Sequence, residues 1–120
     1  MKEINIYIPY EKLKEANDIL LRYNVSGISF YDINGKGRAQ ISEYVQIVDG
    51  YATGRKFTPD FQSRAKIEVV VSDSKSKQIV EELIHSLNAG PNTIGKIFVK
   101  DVPEAYDIGT KESGEKAISI

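Results

Sequence analysis

The pattern of apolar positions divides the chain into alternating segments of period two and period 3.6. Ile4, Ile6 and Ile8 alternate with polar residues, which predicts a strand with one buried face. Pro9 ends it, because proline has no N–H to give to a ladder. From Tyr10 to Asn24 the period becomes helical. Leu13, Ala16, Ile19, Leu20 and Tyr23 form the apolar stripe, and Glu11, Lys12, Lys14, Glu15 and Asp18 fall on the solvent side. A second strand is expected over about residues 26–33, where Ile28 and Phe30 suit a pleated surface, and it stops at Asn34-Gly35-Lys36-Gly37. Residues 35–63 hold Gly35, Gly37, Gly50, Gly54 and Pro59 and sustain no period, although Tyr44, Val45, Ile47 and Val48 could pair briefly. A segment of that length without structure inside a compact domain is uncommon and usually functional or disordered. Order returns with Ala65, Ile67, Val69 and Val71, a third strand. Ser72-Asp73-Ser74 supplies a helix cap. Ile79, Val80, Leu83, Ile84 and Leu87 make a second helical stripe, ended by Asn88-Ala89-Gly90-Pro91. Lys96 to Lys100 is a fourth strand, and the chain beyond Val102-Pro103 reads as a C-terminal loop with a short extension over about 102–120.

Strand-helix-strand taken twice is the split βαββαβ plan, so the expected class is α+β, a ferredoxin-like sandwich forming one domain over residues 1–120. Two helices cover one face of its antiparallel sheet. The other face, carrying Tyr7 and Val70, needs cover, and symmetric self-association is the simplest source. The plan sets the ends of the second helix and fourth strand far from the first helix. Function does not follow from such a fold.

Composition narrows the chemistry. With 120 residues, 41% hydrophobic and 28% charged, the chain can bury one core. A formal net charge of -1 gives no general attraction to nucleic acid, so any anion site must be local. There is no cysteine, which excludes disulfides, thiolate catalysis and cysteine-rich zinc sites. The alternation begins at the first residues, so no leader is expected. No apolar run approaches the roughly 20 residues of a membrane span, and a cytoplasmic location is the expectation.

Gly35-Lys36-Gly37-Arg38 leaves the second strand with two glycines that let backbone amides approach a phosphate, beside a permanently charged fork. It lacks the spacing and ending of a Walker loop. A second glycine turn over about 89–96, Gly90-Pro91-Asn92-Thr93-Ile94-Gly95-Lys96, precedes the fourth strand. In a trimer it can face a neighbour's second-strand exit and close an anion pocket. The spacing alone fits two solvated loops equally well. His85 reads as a helix-flank residue, Glu81, Glu82, Glu112 and Glu115 as solvated charge, and Tyr44 and Tyr51 as ordinary loop tyrosines. No serine has a base, and no His/Asp/Glu set has metal spacing, so no catalytic or metal residue is expected.

These residues together resemble a known family. Gly27-Ile28-Ser29, Gly35-Lys36-Gly37-Arg38, Arg64-Ala65-Lys66-Ile67-Glu68-Val69-Val70-Val71, Gly95-Lys96-Ile97-Phe98-Val99 and Thr110-Lys111-Glu112-Ser113-Gly114-Glu115-Lys116-Ala117-Ile118 are similar, in order, to the PII signal-transduction proteins. The resemblance implies a homotrimer with a nucleotide cleft between each pair of subunits. It also implies a long T-loop after the second strand, here about 35–63. In the family this loop responds to ATP, ADP or 2-oxoglutarate, and acts on an ammonium transporter or an enzyme of nitrogen metabolism. Carried over, Ser29 meets the adenine and Val70 lies by its pocket. Gly35, Gly37 and Arg38 form the phosphate turn, Gly95 and Lys96 the second turn, and Arg64 stands where a lysine near the acid ligand is usual.

The departures are as informative. A glutamine that helps hold Mg-ATP and 2-oxoglutarate is Ala39, which offers neither a carbonyl nor an amide. Two phosphate-binding arginines of the C-terminal loop are Asp107 and Gly109, which removes two cations and adds an anion beside the phosphates. At roughly 1.5–3 kcal/mol per charged hydrogen bond, such losses weaken a triphosphate most. Pro91, Asn92, Thr93 and Ile94 replace the usual charges of the second turn. Tyr51 stands in Asp49-Gly50-Tyr51-Ala52-Thr53-Gly54, not in the family's uridylylation motif. The expectation is therefore a divergent, non-enzymatic regulator that binds ATP or ADP, with AMP admitted, and has a weakened or absent 2-oxoglutarate site. It would control a transporter or metabolic enzyme and bind no nucleic acid. The alternatives are a trimeric interaction protein with a degenerate cleft that takes its partner or another small anion, and, last, a slow phosphohydrolase.

Overall fold

A computed structural model describes residues 1–25, 27–35, 44–48, 51–57, 62–90 and 94–119. The first strand, β1, spans Lys2–Pro9. Beyond Pro9 the chain makes one 3-10 turn, Tyr10–Lys12, and continues as α1, Leu13–Arg22. The chain turns away from the helix at Asn24, which takes a positive φ of 54°, a conformation asparagine tolerates better than most residues. Strand β2 covers Ser29–Gly35. Two short strands come next, β3 over Tyr44–Val48 and β4 over Tyr51–Phe57. Strand β5 covers Gln62–Val71, helix α2 covers Asp73–Leu87 and β6 covers Lys96–Asp101. Four of the strands form one antiparallel sheet in the order β2-β5-β1-β6. With α1 and α2 as the crossovers, this is the ferredoxin-like α+β arrangement the sequence predicts.

Residues opposite one another in register share a face. Ile4, Ile6 and Ile8 of β1 stand against Val69, Ile67 and Ala65 of β5. All six are at most 2% exposed and meet Ala16, Ile19, Leu20, Ile79 and Leu83 of the helices in a single core. Each isoleucine, leucine or valine among them contributes about 1.5–3 kcal/mol relative to exposure. The α1–α2 layer is tied at its edge by Glu82, which pairs with Arg22 and accepts a hydrogen bond from the Tyr23 hydroxyl. The hydrogen bond and the charge hold the Glu82 carboxyl below its ordinary range and the Tyr23 phenol above its own.

Three expectations need correction. The brief pairing open to Tyr44–Val48 is realised as β3, but its partner, β4 over Tyr51–Phe57, was not expected, and the two form a separate antiparallel sheet. Ser72 occupies the N-cap position of α2, but its side chain caps nothing there. Its Oγ lies 3.1 Å from Ser74 Oγ, and the amides of Lys75 and Ser76 donate instead to its carbonyl. Finally, Lys12 is buried rather than solvated, and it joins the start of α1 to the end of α2. The two regions expected to lie far apart are in contact.

The chain after β6 runs through an isolated bridge, Tyr106 to Ser113, into one helical turn, α3, Glu115–Ile118. Among the described residues no helix is long and apolar enough to cross a membrane.

Candidate functional site

The face of the sheet turned away from the helices carries Ser29, Tyr31 and Ile33 from β2, Arg64, Lys66, Glu68 and Val70 from β5, Asn5 and Tyr7 from β1, and Lys96, Phe98 and Lys100 from β6. Lys66 is central. It pairs with Glu68 at 3.0 Å and lies 5.5 and 5.9 Å from the rings of Tyr7 and Tyr31. Tyr7 meets Phe98 edge-on at 5.8 Å, and the Tyr31 hydroxyl donates to Glu68 at 3.2 Å. The hydrogen bond to Glu68 raises Lys66 above the usual lysine value, and the same contact lowers Glu68 below the usual carboxylate value. Cation and anion thus satisfy one another, which leaves neither as a free acid or base.

Two groups on this face are not satisfied. Asn5 is 3% exposed, and its Nδ2 has no partner; Arg64 Nε and one of its terminal nitrogens are likewise buried without one among the described residues. A buried donor left unpaired costs about 1–3 kcal/mol.

The site residues expected from sequence fall into two sets on opposite edges. Ser29 and Gly35 lie on β2, with Arg64 and Val70 on adjoining β5; Gly95 and Lys96 open β6 on the far edge. Three strand spacings separate β2 from β6, about 14 Å. Cavities divide the same way. A cleft of about 550 Å³ takes in Val70 with Asn24, Ser72, Lys75 and Lys116. Another of about 400 Å³ takes in Gly95 and Lys96 with Ile84 and Leu87. Within one chain the described halves do not converge. Lys36, Gly37, Arg38 and Ala39 lie outside the described residues, as do Pro91, Asn92 and Thr93.

Gly95 has a packing role of its own. A Cβ there would stand 2.7 Å from the backbone oxygen of Tyr7 and 3.3 Å from Ile8 Cγ2, at a φ of +157°. The close approach to β1 demands glycine whether or not a phosphate is bound.

The C-terminal loop revises one reading. Asp107 Oδ1 accepts from the amides of Gly109 at 2.8 Å and Thr110 at 2.9 Å, closing a turn on itself. The donation from Thr110, then from Gly109, holds its carboxyl below the ordinary 3.8. The carboxylate expected beside the phosphates is therefore engaged by its own loop, as Asx turns allow. Because the folded value is depressed, the turn's stabilisation is fully present above the ordinary carboxylate value and fades as pH falls through the lower, folded one. In an NMR titration the Gly109 amide is expected to follow Asp107 with a midpoint below 3.8; a midpoint at or above that value would contradict the bond. Ile108, at the tip, is 97% exposed.

Sequence reasoning missed Lys66, Glu68 and Tyr31 as one cluster, although period-two spacing on β5 places the first two on a common face. It also missed Lys12, whose partners are remote in the chain. Among the described residues no group of three His, Cys, Asp or Glu could hold a metal, and His85 is exposed on α2.

Comparison with known proteins addresses the family. The profile described as "Nitrogen regulatory protein P-II" matches residues 1–112. The "Nitrogen regulatory protein P-II 2" of Methanothermobacter thermautotrophicus is 36% identical over 118 residues, covering 98% of this chain and 97% of that protein. The "Nitrogen regulatory protein P-II" of Cereibacter sphaeroides is 32% identical over 118 residues, covering 98% of this chain and all of that one. Taken with the sheet order and the long segment inserted after β2, these matches show that the chain belongs to the nitrogen regulatory protein P-II family of signal-transduction regulators.

Proposed function

We propose that the protein is a trimeric, cytoplasmic regulator that binds an adenine nucleotide at clefts between subunits. Occupancy would be passed through residues 35–63 to a partner transporter or metabolic enzyme. The observation that supports this reading is that Gly35, where the first glycine turn begins, and Gly95 with Lys96, where the second ends, stand at opposite edges of one sheet. The described ends of the two turns do not meet within the chain, and a neighbouring subunit can bring one edge against the other. Arg38 and Lys96 would supply phosphate charge, Gly35, Gly37 and Gly95 the backbone approach, and Ser29 and Val70 the contacts to the base. Arg64, two of whose nitrogens are buried without a partner among the described residues, would face the acidic end of the ligand. Binding can move the inserted segment only if the nucleotide contacts its arrangements unequally.

The ligand preference follows from the C-terminal loop. Asp107 is committed to its own turn and Gly109 has no side chain, so neither of these two positions contributes a cation to the phosphates. Selectivity for ATP over ADP should accordingly be small, less than about tenfold, since a charged contact worth more than about 1.4 kcal/mol is what a larger ratio needs. Ala39 gives 2-oxoglutarate no amide, and its site is weak or lost. Competition calorimetry among ATP, ADP, AMP and 2-oxoglutarate tests both statements.

The loop also favours a second reading, a trimeric interaction protein whose cleft is degenerate. Capture of one partner from solution with equal efficiency in the presence and absence of nucleotide would favour it over the first. Catalysis is not part of either reading.

A further inference from the structure

We propose that Lys12 is a positioning residue for the second glycine turn, an inference that rests on the reading of Lys96 as a phosphate contact. Lys12 ends the 3-10 turn before α1 and is only 8% exposed. Its Nζ donates to the carbonyl of Leu87 at 2.5 Å and to that of Ala89 at 3.2 Å. These oxygens belong to the C-terminal end of α2, where the last carbonyls lack helical partners and the helix dipole is negative. The apolar stem of a lysine can cross a packed layer and deliver its ammonium to such a place. Burying the group is costly unless it is bonded, and here two of its three protons go to carbonyls at one helix end.

The glycine turn comes directly after that helix end. The chain leaves α2 through Ala89 and Gly90, whose φ is +87°, and returns at Ile94, Gly95 and Lys96. The departing stem is held by Lys12, and the returning stem by the contact of Gly95 with Tyr7 and Ile8. Tyr7, Ile8 and Lys12 belong to one stretch of chain, the end of β1 and the turn after it. A single short segment therefore grips both stems of the turn that presents Lys96. Lys12 acts through the turn, since its ammonium is occupied by carbonyls on the helix side and is not offered to a ligand.

The test compares full-length wild type with Lys12→Met, which keeps the apolar stem, and Lys12→Arg, which keeps the charge. In ligand-free protein followed by hydrogen exchange, Lys12→Met should accelerate the Gly95 and Lys96 amides about tenfold, the loss expected for one charge-assisted hydrogen bond. The amides of Ile6 and Ile67, at the centre of the sheet, should keep wild-type rates. Affinity for ADP should fall about tenfold in parallel, and Lys12→Arg should recover both quantities to within about threefold. Unchanged exchange at the turn overturns the proposal, whatever happens to binding. Uniform acceleration across the sheet also overturns it, because it shows a global structural role. If wild type binds no nucleotide, the functional reading fails while exchange still decides the role of Lys12. Should Lys12→Met not fold, Lys12→Gln, a weaker donor, undergoes the same comparison, with the same two outcomes overturning the proposal.

Discussion

Lys96→Ala is expected to weaken ATP binding by about thirtyfold, equivalent to about 2 kcal/mol, with little change in thermal stability. Lys96 is exposed at the first position of an edge strand. It has no ion-pair partner among the described residues, so the folded chain gains little from its charge. A phosphate held against the turn would gain a charge-assisted hydrogen bond that alanine cannot replace. The loss should grow with phosphate number, from AMP to ATP, and should shrink as salt screens the interaction. Lys96→Arg should retain most of the affinity. Equal binding by Lys96→Ala and wild type, measured by calorimetry, would remove this residue from the site.

Gly95→Ala should act on the fold even without ligand. The added methyl meets the Tyr7 carbonyl at 2.7 Å, and the positive φ disfavours any side chain. Overpacking of this kind costs about 1–3 kcal/mol, and the backbone conformation adds about 1 kcal/mol or more. The apolar contact with Ile8 offers nothing in return at 3.3 Å. A fall of about 10 °C in the unfolding midpoint is expected for ligand-free protein at fixed concentration. Nucleotide affinity should fall as well, because the strand start that carries Lys96 has to shift. An unchanged midpoint with reduced affinity would show that glycine is needed there for ligand approach alone, against the close packing on β1. Gly95→Ala and Lys96→Ala thus separate two roles that neighbouring residues of one turn would otherwise share.

The layers of the fold were legible because burial imposes a period. Ile4, Ile6 and Ile8 could face only one way, and the stripes through Leu20 and Leu83 needed a sheet to cover. Lys12 was misplaced for a definite reason. A helical wheel puts it on the solvent side, but the chain there is a 3-10 turn, whose tighter winding shifts each side chain off the helical stripe. Its first acceptor is also 75 residues further along. The pairing of β3 with β4 had a signal that the period analysis passed over. Asp49-Gly50 between two runs of branched and aromatic residues is a strong hairpin pattern, masked by the polar Gly54-Arg55-Lys56 in the second run. Asp107 was read as a misplaced anion, although Asp-x-Gly-Thr is also the composition of a self-closing turn. The candidate site was legible as a set of residue types. Its division between opposite sheet edges required the strand order, which a list of motifs does not contain.

Nucleotide binding between subunits is the central claim, and one titration addresses it directly. ATP, ADP and AMP are titrated in turn into the wild-type protein, with heat, stoichiometry and oligomeric state recorded at low salt. Saturable binding of at least one of them, approaching one molecule per chain and strongly reduced in Lys96→Ala, is the predicted result. No heat from any of the three, with the protein folded and oligomeric, would contradict it.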